Sequence, residues 1–409
     1  MTTGIRWLVV VLFVFHALIH LLGAAKGLGW ARVAQLHEPI SPAMGLVWAA
    51  AAVAVLTAAV MIALRSPSWW WIVAGAAAVL SQAVILTSWS DAKAGTVLNL
   101  VLVLAAVLGF ANSGPGSYAA QWNHRVDAAV AAAPTSRGVV TEADLDRLPP
   151  PVATYLRRSG AVGTPRVTQF SATLHGRIRS GPNDPWMPFT AGQVNTFGPN
   201  PQRLFLMHAT KSGLPVTVFH DYHDATATMR GKVLSLVPIL DASGPEMNQG
   251  ETVTVFNDMA VFAPAALVDA PVTWTQLDAH RVRGTFINDS QSVTADLVFD
   301  AAGDLVDFIS DDRFAASSDG RSFTARRWST PLSEYAEVAD RRVVTAGEGR
   351  WHAPEPDGTF TYIELHLDGI SYNGGVSAHS ANAGALPSSE VSAARGGALV
   401  YRASARPDQ

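Results

Sequence analysis

The hydrophobic pattern divides the chain near residue 112 into a nearly continuous apolar part and a part with ordinary alternation. A helix of about 20 apolar residues crosses the roughly 30 Å hydrocarbon core of a bilayer. Such stretches occur at 7–25, 43–64, about 69–89 and 95–111. Tryptophans at 69–71 and 89 mark stretch ends, where aromatic belts lie. We therefore predict a bundle of four membrane-spanning helices in residues 1–112.

The first stretch has an alternative interpretation as a cleaved signal peptide. It lacks a small-x-small cleavage site and precedes three further spans, which favours a retained helix. Basic residues hardly distinguish the two membrane sides. A short N-terminus without a signal peptide favours an inside start, which after four spans places the C-terminal part in the cytoplasm. The expected location is the plasma membrane of a bacterium.

A turn-rich break at 113–116 opens a helical linker over 113–165. Residues 118–135 are typical of a helix that leaves the membrane. A short helix is predicted from Thr141 to Leu148, with Thr141 as its N-cap and Asp144 as the capping-box acid. Another helical turn is predicted over 152–158.

From residue 166 the apolar positions recur with period two, which indicates β-strands. Short turn-forming links predict an antiparallel meander. One helix, 244–259, and a short apolar piece, 265–268, interrupt it. We expect an α+β membrane protein whose C-terminal domain, 166–373, is a curved sheet or half-barrel around a helix, followed by a disordered tail at 374–409. The predicted strands begin near 167 and continue at 186–197, 202–210, 215–224, 226–234, 271–276, 281–288, 291–299, 304–311, 321–328, 343–352 and 359–372.

Composition and missing motifs argue against several function classes. The net charge of -4 has no concentrated basic face, which argues against a nucleic-acid partner. Cysteine is absent, so neither a disulfide framework nor thiol chemistry is available. The sequence also lacks a G-x-S-x-G elbow, a P-loop, a dinucleotide-binding glycine motif and H-E-x-x-H. These absences lower the expectation of a hydrolase, an NTPase or a dehydrogenase.

Several longer strings resemble a family of uncharacterised bacterial membrane proteins. The resemblance covers roughly residues 7–373 and implies a four-helix transmembrane bundle followed by a β-rich domain of unknown function; it implies no activity. The strings are HALIHLLG (16–23), SWSDAKAGT (88–96), VPILDASGPEM (237–247), WSTPLSEY (328–335) and GEGRWH (347–352).

The first candidate site lies in the bundle. His16 and His20 are four residues apart, so their rings share one helical face and could bind one metal ion or relay a proton. His37 and Asp91, in loops at the same end, could complete a metal site. Alternatively, neutral histidines only fix helix packing. Their partners would then be Ser81, Gln82 or Asn99.

Two fainter candidates follow. Asp241 and Glu246 could act as acids, although the pattern from Ser243 to Glu246 is also that of a helix capping box. In the stretch from His220 to Asp224 a strand would send His220 and His223 to opposite faces, which disfavours a metal site. A charged pair at the membrane surface is the plain interpretation of Asp91 with Lys93.

Three functions stay open from the sequence. We favour a binding protein whose β-rich domain holds a lipid or other apolar molecule supplied by the bilayer, with a cleft lined by Phe205, Phe256, Met259 and Phe262. The alternatives are a membrane-embedded metal-dependent enzyme using the histidine pair, and a scaffold subunit of a membrane complex. Cofactors and protein partners are not identified by the sequence.

Overall fold

A computed structural model describes residues 3–65 and 67–374 of the chain. The predicted disordered tail lies outside these residues, apart from Gly374. The helices are α1 Thr3–Gly27, α2 Pro42–Leu64, α3 Trp70–Thr87, α4 Trp89–Ala92, α5 Gly95–Ser113, α6 Tyr118–Ala132, α7 Glu142–Leu145, α8 Pro150–Arg158 and α9 Pro245–Phe262, with a 3-10 turn at Pro264–Val268.

Four helices in the described part are long and apolar enough to cross a membrane, as predicted. These helices are α1, α2, α3 and α5, and together they are called the bundle. Helix α5 continues toward α6. Small residues allow close approach of the helices. A Cβ added at Gly27 would lie 2.7 Å from the Gly45 Cα, and one at Gly23 would lie 2.3 Å from the Trp48 ring. Substitution of either glycine would therefore push α1 and α2 apart.

Linker helices α6 and α7 each begin at a residue whose side chain caps the helix N-terminus. The Ser117 hydroxyl accepts a hydrogen bond from the Ala120 N–H (3.1 Å) at the start of α6. The capping box predicted from Thr141 and Asp144 is confirmed at α7, and α8 covers the predicted helical turn at 152–158. These caps satisfy backbone N–H groups that lack partners inside a helix.

Most predicted strands are present. The strands are β1 Gln169–Ile178, β2 Met187–Thr196, β3 Gln202–Lys211, β4 Leu214–His223, β5 Thr226–Val233, β6 Val237–Ser243, β7 Val272–Gln276, β8 Arg281–Asn288, β9 Gln291–Phe299, β10 Leu305–Ser310, β11 Phe314–Ala316, β12 Phe323–Ala325, β13 Arg327–Ser329, β14 Leu332–Val338, β15 Arg341–His352 and β16 Thr359–Tyr372.

Within the described residues, fourteen strands form one antiparallel sheet ordered β6-β5-β4-β3-β2-β1-β16-β15-β13-β10-β9-β8-β7, with β14 paired to β15. Two meanders thus join where β1 pairs with β16. Since β6 and β7 are the two outer edges, α9 must cross the sheet to connect them. The helix contacts β5 and β6 as well as β9 and β10, so the sheet curves around it. This confirms the predicted fold class. The sheet and α9 together form the β domain.

Alternation gives β2 to β4 two buried faces. In β3, Phe205 and Met207 face α9, whereas Leu204 and Leu206 pack with Trp122 of α6. The sheet therefore lies between α9 on one face and α6 on the other.

Three strands were not predicted, namely β6, β11 and β14. The sheet edge β6 is largely exposed and contains Pro238, and β14 is a charged strand with few buried positions. Neither shows full alternation, so period two is weak there. The capping box expected from Ser243 to Glu246 was wrong. Ser243 ends β6, paired with Thr228, and Gly244 (φ 108°) stands at the helix N-cap without a side-chain bond.

Asp307 in β10 leads to a pH prediction. Burial raises the pKa of Asp307 from 3.8 to about 6, although the Phe308 N–H donates to its carboxylate (2.9 Å). A folded-state pKa above the unfolded value means that this group favours the folded state below about pH 4 and that the contribution is lost as pH rises through about 6. We expect Asp307→Asn to remove this loss, so that the gain in the free energy of unfolding over the parent is about 1–2 kcal/mol larger at pH 7.5 than at pH 4.5. An identical pH profile for both proteins would contradict it.

Candidate functional site

A cavity of about 620 Å³ lies between the sheet and α9. It forms because inward side chains of β3 to β6 do not fill the space beneath the helix. Its apolar wall includes Phe205, Met207, Val216, Val218, Met229 and Leu240. The size is within the usual range of pockets for small ligands, roughly 300–1,000 Å³.

The hairpin β11–β12 covers one side of the cavity. Phe314, Ala315 and Thr324 of this hairpin line it. The hairpin turn is joined to the sheet edge, because the Asp241 N–H donates to the Asp319 carbonyl (3.1 Å). The cavity is thus bounded by sheet, helix and hairpin.

The four residues predicted for the cleft divide into two pairs. Phe205 and Phe262 line the cavity. Phe256 and Met259 lie in the core beside it, where Phe256 packs against the rings of Phe286 (5.6 Å) and Phe308 (5.2 Å). The predicted space exists, but half of its predicted lining belongs to the helix face that anchors α9.

A buried charged cluster forms the polar end of the cavity. The guanidinium of Arg203 donates to Asp258 Oδ2 (2.8 Å) and to Glu251 Oε2 (3.0 Å), so one arginine bridges two acids of α9. Gln193 and Asn195 also donate to Asp258 Oδ2, at 2.7 and 3.0 Å. The acids are seven residues apart, which places them on one face of the helix two turns apart.

The pKa values of the two carboxyl groups, Glu251 and Asp258, are shifted in opposite directions. Burial acts to raise the pKa of Glu251, but the charges of Arg203, His220 and Arg313 outweigh it and hold the pKa well below its ordinary value. Burial raises the pKa of Asp258, and the neighbouring Arg203 only partly opposes this. A charge-assisted network of this kind fixes side-chain positions before any ligand arrives.

Three polar atoms of the lining have no hydrogen-bond partner among the described residues. They are His220 Nδ1, 3.8 Å from Glu251 Oε1, Arg313 Nε and Arg326 Nε. Arg313 is held by the Gly250 carbonyl (2.7 Å), by Thr254, and by the ring of Trp328 (4.5 Å to the centroid). These groups can hydrogen-bond a polar end of a ligand.

The predicted acids are not paired with each other. Glu246 lines the cavity at the first turn of α9, whereas Asp241 lies in β6, with its N–H on the β11–β12 turn. Acid chemistry at these two residues stays a prediction.

The stretch from His220 to Asp224 follows the predicted strand alternation. Tyr222 faces α9, where its hydroxyl meets Thr252 Oγ1 (2.8 Å). Asp221 faces α6 and pairs with Arg125 through two bonds of 2.9 and 3.2 Å. His223 lies 3.0 Å from Asp221 and thus also points away from His220.

The histidine pair in the bundle sits within a buried polar network. The Ser81 hydroxyl donates to Asn99 Oδ1 (2.6 Å). His16 Nε2 lies 3.0 Å from the Ser81 oxygen, and His20 Nε2 lies 2.7 Å from it. With its proton committed to Asn99, Ser81 can only accept, so both histidines donate through Nε2. Gln82 extends the network by accepting from Asn99 (2.8 Å).

His37 and Asp91 form a separate contact at the bundle end. The Asp91 carboxylate accepts from the backbone N–H groups of His37 (2.5 Å) and Glu38 (2.9 Å). These bonds, that to Glu38 first, lower the pKa of Asp91. Asp91 therefore ties the α1–α2 loop to α4. Among residues that the structure describes, no group of three or more His, Cys, Asp or Glu is placed to hold a metal ion. The metal site formed by His16, His20, His37 and Asp91 stays a prediction.

The polar end of the cavity was not anticipated from the sequence. Two signals for it were present in the sequence: Arg203 occupies an inward position of an apolar strand, and Glu251 and Asp258 occur at a seven-residue spacing on one helix. Arg313 had no such signal, because it lies in a short linking segment.

The family of unknown function DUF6544 matches residues 138–365, more than half of the chain. The chain belongs to this family. The match spans the cavity, its charged cluster and the covering hairpin, and begins after the bundle. No curated protein matches the sequence.

Two solved structures resemble the β domain at low TM-scores. A putative outer membrane lipoprotein-sorting protein domain from Vibrio parahaemolyticus is 11% identical, with a TM-score of 0.32, over 56% of this chain and 95% of that chain. A DUF1329 family protein from Desulfovibrio piger is 11% identical, with a TM-score of 0.26, over 59% of this chain and 96% of that chain. No functional conclusion follows from likenesses this low.

Proposed function

We propose that this protein binds a lipid or a similar amphipathic molecule in the cavity between the sheet and α9. The observation that carries the proposal is one cavity with two chemically distinct ends. Met207, Val218 and Leu240 belong to its apolar wall, and Arg203, Glu251 and Arg313 stand at its polar end. Ligand sites commonly combine an apolar wall with a few fixed polar groups.

The polar end suits a head group better than a wholly apolar molecule. Arg203 is already bonded to two acids, so its charge is largely compensated inside the protein. In the part of the chain that the structure describes, Arg313 Nε and His220 Nδ1 have no hydrogen-bond partner, and a ligand oxygen or hydroxyl that reaches them would supply one. A buried polar atom gains most from a partner when its surroundings are apolar.

A cavity-filling variant tests the proposal. Val218→Phe adds a ring inside the cavity, whereas Val139→Phe makes the same change at an exposed position outside it. We expect native mass spectrometry of the full-length protein in mild detergent to show a lipid-sized bound mass for the parent and for Val139→Phe, reduced about tenfold in Val218→Phe.

Circular dichroism establishes that both variants are folded. Equal occupancy in the parent and the folded Val218→Phe protein would place the bound lipid elsewhere. A parent protein without any bound mass after incubation with phospholipid would also refute the proposal.

A further inference from the structure

We propose that one rim of the β domain sits in the polar interface of the bilayer, so that the cavity opens toward the lipid leaflet. This membrane rim consists of the β3–β4 turn (211–214) and the β5–β6 turn (233–239). The position of the rim at the membrane is argued from the contacts of the rim itself. The passage of lipid through the rim rests on the proposed function.

Strand register places these two turns together. Lys211 pairs with Leu214 at one hairpin, and Val233 pairs with Val237 at the other. Val216 of β4 pairs with Val233 of β5, which sets the hairpins side by side at the same ends of the strands. The rim is therefore one continuous edge.

The rim touches the end of a membrane-spanning helix. The Ser235 hydroxyl donates to Asn112 Oδ1 (3.3 Å), next to the last residue of α5. The same bundle end carries an aromatic layer: Trp71 meets Phe110 one turn before Ser113 (4.9 Å between ring centres). Such layers mark the level where hydrocarbon gives way to head groups. The β5–β6 turn thus lies at the membrane surface.

Helix α6 holds the domain in this orientation. At its start, the Tyr118 ring lies 4.7 Å from Lys232 Nζ near the rim. Just past its far end, Pro134 lies close to Gly198 in the β2–β3 turn, at the opposite ends of the strands, since a Cβ added at Gly198 would lie 2.7 Å from the Pro134 ring. Between them, Arg125 pairs with Asp221, and Trp122 packs against the sheet. These contacts fix which rim faces the bundle.

The rim has the surface that an interface favours. Leu214, Leu236, Val237 and Ile239 are 49%, 44%, 56% and 37% exposed. Single exposed apolar residues are common, but four on one edge indicate a contact surface. Lys211, one of four lysines in the chain, stands among them and suits anionic head groups. An apolar edge with a basic residue is typical of shallow membrane insertion.

The cavity reaches this same rim. Its lining includes Lys211, Ile239 and Leu240, together with Ile178 and Met187 at the matching ends of β1 and β2. A molecule leaving the leaflet along the rim would therefore meet the apolar wall first. The charged cluster lies nearer the other ends of the strands, where Arg203 is the second residue of β3.

Site-directed fluorescence tests the seating of the rim. The chain has no cysteine, so Val237→Cys and Val139→Cys each give one labelling site. Val139 is 46% exposed and lies beside Pro165, near the start of β1 and thus at the opposite ends of the strands. The full-length variants carry an environment-sensitive fluorophore in nanodiscs of phosphatidylcholine with phosphatidylglycerol.

We expect the label at position 237 to be quenched at least threefold more by lipids with a nitroxide near the head group than the label at 139. Equal, weak quenching at both positions would overturn the proposal. Strong quenching at 237 combined with an empty cavity in the mass spectra would instead retain the seated rim and reject the ligand. Ligand bound in detergent with an unquenched rim would retain the proposed function and reject this inference.

Discussion

Replacing Arg203 by leucine is expected to lower the free energy of unfolding by about 3–5 kcal/mol, because it leaves two buried acids without their shared cation. Arg203 supplies bonds of 2.8 and 3.0 Å to Asp258 and Glu251, and all three side chains are buried. Leucine occupies part of the space but neutralises neither charge. The measurement is chemical unfolding of the full-length protein in detergent, followed by near-ultraviolet circular dichroism.

Arg177→Leu is the matched control. Arg177 also forms a two-bond pair with a carboxylate, Glu364, at 2.6 Å, but half of its side chain is exposed. Exposed pairs contribute about 0–1 kcal/mol, so this variant should unfold nearly as the parent does. The Arg203→Leu defect should also shrink at acidic pH, where the two acids become neutral. Equal, small effects for both variants would show that the cluster is not essential to the fold.

The helices and strands could be predicted from the periodicity of apolar residues, because a helix or strand that is buried shows the same apolar pattern along its whole length. Stretches such as 43–64 had to be helical in lipid, where every backbone polar group needs an internal partner. Alternation in strands such as 281–288 reflects one buried face and one exposed face. Where an element is mostly exposed, as in β6 and β14, the pattern weakens and the prediction missed it.

The candidate site was harder to predict because its parts come together only through the topology. Arg203 lies in β3, Glu251 in a helix that crosses the sheet, and Arg313 in a segment between β10 and β11. The separations of these three residues along the sequence form no recognisable motif. They come together only because α9 crosses the sheet from one edge to the other. Phe205 and Phe262 could be proposed from apolarity alone, but apolarity does not separate a cavity wall from filled core. Phe256, buried among other rings, shows that difficulty.

Helix α6 links the two halves of the molecule physically. It leaves the bundle through the short segment 114–117 and then packs on the sheet face opposite the cavity. Its ion pair with Asp221 and its ring contacts with Phe219 make the junction a docked surface and not a free tether. The orientation of the cavity toward the bundle therefore depends on a helix that does not touch the cavity.

Trp122→Ala should consequently lower the free energy of unfolding by about 3–5 kcal/mol, the usual cost of removing a large buried aromatic side chain. Trp122 is fully buried between α6 and the sheet, with its ring 6.2 Å from that of Phe219. Val139→Ala is the control, because Val139 lies outside the membrane-spanning helices, is 46% exposed and should tolerate the change with under about 0.5 kcal/mol. Chemical unfolding in detergent measures both. In nanodiscs, Trp122→Ala should also weaken nitroxide quenching of the label at position 237, since the rim is no longer held against the bundle. Undiminished quenching in a destabilised variant would mean that the rim holds its place in the bilayer without α6.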